Sequence, residues 1–78
     1  MRKKEERLIV AFFSTHDAMA FEEYCLQCGA EGRLIPLPRE ISAGCGLAWS
    51  SPPEAETDVR KYLENTGIQA QHLKLLMV

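Results

Sequence analysis

Six consecutive apolar residues, Leu8–Phe13 (LIVAFF), constrain this chain more than any other feature. A run this short and this rich in β-formers reads as a strand. Successive side chains of a strand leave on opposite sides. A strand that is apolar at every position therefore asks for cover on both faces. Any fold built around it must find apolar cover for both faces.

The segments that follow supply one of them. Ser14 is placed to cap a helix, and Asp17 suits the first turn. Ala18, Phe21, Cys25 and Cys28 recur at spacings of three and four, which predicts one buried stripe on a helix that stops at Gly29. Arg33–Leu37 reads as a second strand. Pro36 and Pro38 place it at a sheet edge, because proline donates no ladder hydrogen bond. Gly46–Ser50 reads as a short third strand. Ser51-Pro52-Pro53-Glu54 reads as a second helix start, with Ser51 as the cap. Ala55, Val59, Tyr62 and Leu63 give that helix its apolar stripe, and Gly67 ends it. Gln71–Val78 is the last strand, with Leu73, Leu75 and Met77 alternating. The order βαββαβ predicts an α+β, ferredoxin-like two-layer sandwich: a four-stranded antiparallel sheet with two helices on one face. The second face is left for another layer, and a homodimer through the open sheet face is the simplest expectation.

The 78 residues make a single domain over 1–78, near the lower size limit for a self-sufficient core, with 1–6 as a solvated leader. A net charge of -2 argues against a nucleic-acid partner. No apolar run approaches a membrane span, and no signal-peptide pattern is present, so the chain reads as cytoplasmic. Its three cysteines are then expected as thiols rather than disulfides.

One of them sits in an open loop, PREISAGCGLAW (Pro38–Trp49), where Gly44 and Gly46 flank Cys45. In the expected topology strands one and two run the same way. The start of the first helix, the loop between strands two and three, and the turn near Gly67 then share one end of the domain. A helix start offers N–H groups and partial positive charge, which favour a thiolate. Arg39 adds a cation, and His16 is a candidate proton relay, because free histidine side chains titrate near neutrality. The glycines can turn N–H groups toward an anion. Cys45 is the candidate nucleophile, with the passive loop cysteine as the competing reading. The same loop end could instead serve a small non-enzymatic module, of an ACT-like regulatory or adaptor kind, that binds an anion through its N–H groups and Arg39.

Cys25 and Cys28 form a C-x-x-C, but at a helix end, where the dipole opposes a thiolate. Core packing accounts for both better than redox chemistry does. Neither a metal site nor an organic cofactor is expected: no fourth zinc ligand has suitable spacing, and phosphate-loop and G-x-S-x-G patterns are absent. His72, within a strand, has no evident chemical role.

The segments FFSTHDAMAFE (Phe12–Glu22) and RLIPLPREISAGCGLAW (Arg33–Trp49) resemble a family of small bacterial selenium/sulfur carrier protein-like sequences. The resemblance runs over nearly the whole chain after the first six residues and is most specific from Pro36 to Leu47. The matching features are the serine–threonine helix start, here Ser14 and Thr15, and the loop residues Pro38, Arg39, Glu40, Ile41, Ser42, Gly44, Cys45 and Gly46. Cys25 and Cys28 lie outside the pattern. The resemblance implies that Cys45 holds sulfur or selenium as a persulfide or selenylsulfide and passes it on. A donor such as a desulfurase or sulfurtransferase, and an acceptor protein, are then the implied partners.

Overall fold

A computed structural model of the chain describes residues 5–44 and 46–78. Seven elements follow in order: β1 (Glu6–Phe12), α1 (Thr15–Gln27), β2 (Arg33–Pro36), β3 (Leu47–Ser51), a 3-10 turn (Pro53–Ala55), α2 (Glu56–Thr66) and β4 (Ala70–Met77). The strands form one antiparallel sheet in the order β2-β3-β1-β4. This is the α+β, ferredoxin-like two-layer arrangement, with β1 at the centre. The strand opens inside the stretch 1–6 expected as a leader, of which residues 1–4 lie outside the described residues. Glu6 already pairs with Met77, and Glu5 exchanges two backbone hydrogen bonds of 3.0 Å with Val78.

Strand alternation divides β1 between two cores. Leu8, Val10 and Phe12 turn toward the helices and pack with Ala18, Phe21, Cys25, Trp49 and Val59. Phe21 anchors this layer: its ring lies 5.4 Å from Phe12 and edge-on to Trp49 at 5.7 Å. The indole in turn lies over Gly32. A Cβ there would stand 2.6 Å from Trp49 Cζ2, and the backbone is in the left-handed region at φ 150°. Only glycine meets both demands. Ser14 caps α1 by accepting a 3.2 Å bond from the Asp17 N–H. The helix closes through Gly29 (φ 71°), with Ala30 N–H returning to the Cys25 carbonyl.

Ile9 and Ala11 turn to the other face, and both are fully buried. Their cover is the chain itself. After β2, residues 37–44 fold back across the sheet, and Ile41 inserts against Ile9, Ala11 and Ala48, with Ile35, Leu37, Ala43 and Leu76 around it. Ile41 retains 4% exposure although it belongs to no strand or helix. The layer expected from a second subunit is thus provided, over this half of the face, from within the chain.

Three local assignments differ from the sequence reading. Ser51 is not a helix cap. It is the last residue of β3, paired with Leu8 and buried on the helix side, and its Oγ lacks a hydrogen-bond partner. Pro52 holds the cap position of the 3-10 turn, and α2 begins only at Glu56. Cys28 is exposed rather than buried, because α1 ends there and the core stops one turn earlier at Cys25. Leu75 and Met77 are 43% and 53% exposed, since they flank Leu8 and Glu6 beyond the reach of the helices.

The two edges of the sheet differ. The Leu37 N–H bonds the Gly46 carbonyl, so residues 37, 35 and 33 bond inward and Leu34 and Pro36 face outward. Pro36 thus stands where an N–H would otherwise point to solvent. On β4 the outward positions, 71, 73, 75 and 77, all carry an N–H.

Truncating Ile41 tests whether the folded-back segment is part of the core. Ile41→Ala should lower the unfolding free energy by about 2–3 kcal/mol in urea titrations, as a buried aliphatic deletion does. A loss below about 0.5 kcal/mol, the ordinary range of a surface change, would mean that the segment does not cover the sheet.

Candidate functional site

The end of the domain where β1 stops and β4 begins holds Ser14, Thr15 and His16, with Ser42 and Gly44 of the loop against it. Ser14 is there as the α1 cap, its Oγ engaged with Asp17. Thr15 follows in the first helical turn and is exposed. His16 projects into solvent with 92% of its side chain exposed, 3.9 Å from Asp17 Oδ1. Across from this helix start the loop after β2 returns to the sheet.

Two side chains of β4 tie that loop down. Gln71 Oε1 accepts the Gly44 N–H at 3.0 Å. His72 Nε2 lies 2.9 Å from the Ser42 carbonyl oxygen, which accepts its N–H. On the other side Gly44 presses against the backbone of Phe13: a Cβ at Gly44 would lie 2.7 Å from the Phe13 carbonyl oxygen. The Leu37–Gly46 bond closes the loop at its base, and Ile41 holds its middle in the second core. Ser42, Gly44 and Gly46 are exposed. Cys45 itself lies outside the described residues.

Phe13 immediately precedes the α1 cap, so contact of Gly44 with Phe13 brings the glycine loop to the helix start. Arg39 is exposed in the turn closed by the Ile41 N–H and the Pro38 carbonyl. Arg39 has no carboxylate within salt-bridge distance among the described residues. Gln71 and His72 were not legible as loop anchors. Their signal in the sequence was weak: two polar side chains at the start of a strand otherwise reading as apolar.

The helical cysteines part company. Cys25 is buried in the helix-side core, and burial, with a smaller contribution from Cys28, pushes its thiol up to about 12 from 9.0. Such a group is a poor nucleophile. Among the described residues no group of His, Cys, Asp and Glu is assembled to hold a metal ion, and no helix is long and apolar enough to cross a membrane.

A family model described as "Putative Se/S carrier protein-like" matches residues 7–73. No curated protein matches the chain.

Two measurements check this geometry. The folded protein holds the Cys25 proton more tightly than the unfolded chain does. The resulting stability is complete below about pH 9 and is lost as pH rises toward 12. The urea midpoint should therefore fall more steeply over that range in the wild type than in Cys25→Ala. A parallel pH dependence in the two proteins would contradict the buried thiol. Gly44→Ala should separate the loop from Phe13. Amide exchange at residue 44 should then rise at least about tenfold, the factor that follows from losing roughly 1.4 kcal/mol of local stability. Unchanged protection would place the close approach in doubt.

Proposed function

The chain belongs to the Se/S carrier protein-like family, and on that premise we propose that Cys45 accepts a sulfur or selenium atom and hands it to a partner protein. The observation that carries the reading is the anchored loop. Gly44 is bonded to Gln71 and packed on Phe13 beside the α1 start, and Gly46 is bonded to Leu37. Cys45 is the residue between them in sequence.

The chemistry is a sulfane transfer. The Cys45 thiolate attacks the outer sulfur of a donor persulfide. The donor S–S bond breaks, the donor leaves as its thiolate, and Cys45 carries the new S–S bond. Replacement of the outer sulfur by selenium gives the selenylsulfide by the same exchange. No net oxidant is consumed. Each half of the reaction needs an anionic sulfur, and the first turn of α1 favours negative charge nearby. Arg39 contributes a cation from the same loop, and His16 is the candidate to exchange the proton. Ser14 and Thr15 at the helix start, with Ser42 and Gly46, are the proposed anion-binding groups, whereas Gly44, expected among them, has its N–H engaged by Gln71 and serves to position the loop. A desulfurase or sulfurtransferase is the proposed donor, and a second protein takes the atom away.

The competing C-x-x-C reading predicts a low-pKa pair, which the high pKa of Cys25 argues against. The exposure of Cys28 sharpens the test, because this thiol is open to reagents and to adventitious sulfuration. Incubation with a cysteine desulfurase and cysteine should add one sulfur to the intact mass. The adduct should persist in Cys25→Ser and Cys28→Ser and vanish in Cys45→Ser. An adduct that survives loss of Cys45, or no adduct with any sulfur or selenium donor, would overturn the proposal.

A further inference from the structure

Ile41 covers only part of the second sheet face. Beside it the same face holds an open groove of about 780 Å³, a size typical of small-molecule sites. Register identifies its floor. Residues 7 and 9 of β1, 48 and 50 of β3, and 33 and 35 of β2 all point to this side. Arg7 and Ser50 form the centre of the floor, Ile35 and Arg33 one flank, and Val78 the other. Pro38 and Glu40 of the folded-back loop close it at one end, and Glu5 stands at the rim.

The arginine at the centre is held but not neutralised. Its Nε–H donates to Ser50 Oγ at 3.0 Å, and Nη2 donates to the Ser50 carbonyl at 3.4 Å. Ser50 is itself buried, at 4% exposure, so it is a rigid support. Among the described residues, the Nη1 edge of the guanidinium has no hydrogen-bond acceptor and no carboxylate lies within 4.0 Å of Arg7 or Arg33. A half-buried, pre-oriented guanidinium without a counter-ion is built for bidentate contact with a planar oxyanion. The two glutamates at the groove offset the two arginines. Among the described residues the groove has no excess charge to favour a dianion, and Ile35 and Pro38 offer apolar surface to a ligand body.

We propose that this groove is a binding site for a small monocarboxylate, whose carboxylate lies on Arg7 with Arg33 beside it and whose short apolar body rests on Ile35 and Pro38. The site is separate from the glycine loop end and does not depend on the chemistry of Cys45. It would, however, give a ligand direct contact with Pro38 and Glu40 of the loop that carries that cysteine.

The test is a titration of the ¹⁵N-labelled protein with sodium valerate, followed through the Arg7 Nε–H and the amides of Ile35 and Ser50. Saturable shifts confined to the groove are expected. Arg7→Gln should weaken binding by at least about tenfold, as loss of a charged bidentate contact does. Ser50→Ala keeps both arginines and the carbonyl that accepts from Nη2 and removes only the hydroxyl that accepts from Nε, so it should weaken binding by less than Arg7→Gln. Arg33 is exposed, and Arg33→Gln provides a variant with no burden on folding; it too should weaken binding. Inorganic phosphate and n-butylammonium should bind more weakly than valerate. The proposal fails if valerate produces no saturable shifts in the groove. It fails also if Arg33→Gln and a folded Arg7→Gln bind valerate as the wild type does, or if phosphate binds more tightly than valerate.

Discussion

Contact of Ile41 with Ile9, Ala11 and Ala48 is the interaction on which the rest of this small structure depends. A four-stranded sheet with helices on one side leaves half of its central strand to water. In a 78-residue chain there is little other apolar surface to offset that exposure. Folding the segment after β2 back over the sheet removes the exposure without a third layer. It also fixes where the glycine loop can be, because the same short segment that buries Ile41 must then climb to Gly44 and re-enter the sheet at Leu47.

Core and candidate site are therefore one construction. Ser42 and Gly44 are fastened to His72 and Gln71 on β4, Gly44 rests on the backbone ahead of α1, and Gly46 closes on Leu37. Loops commonly carry chemistry because a rigid scaffold positions them. Here the loop contributes to the scaffold in return. The groove on Arg7 and Ser50 lies on the half of the face that Ile41 leaves open, so both features of this surface derive from the path of one segment.

The element order and sheet class were legible because they rest on local signals: an apolar run, two helical stripes, prolines at an edge and glycines after helices. The demand for two-sided cover was also legible in LIVAFF. The source of the cover was not, because Ile41 stands alone among polar and small loop residues and no periodicity marks it. Cys25 and Cys28 show the same limit. Spacing puts both on one helical face, but only the depth of the core decides that the first is buried and the second is not. Ser51 was misread for a related reason: the hydroxyl-proline pattern of a cap is local, whereas pairing with Leu8 is long-range and prevails. The anchors Gln71 and His72 act through contacts with residues about thirty positions away, which no local pattern encodes. The family resemblance singled out the loop and its cysteine, and spatial neighbours of this kind lay beyond it.

The outward position of Pro36 has a consequence for assembly. Sheets that meet edge to edge grow without limit only when both edges accept a new strand. The β2 edge lacks an N–H where the next strand would need one, while β4 keeps all of its own. Edge pairing of this sheet can therefore close a pair of molecules through β4 but is interrupted before it can propagate into a filament. A small protein with exposed Leu75 and Met77 on one border is thereby given a built-in terminator on the other.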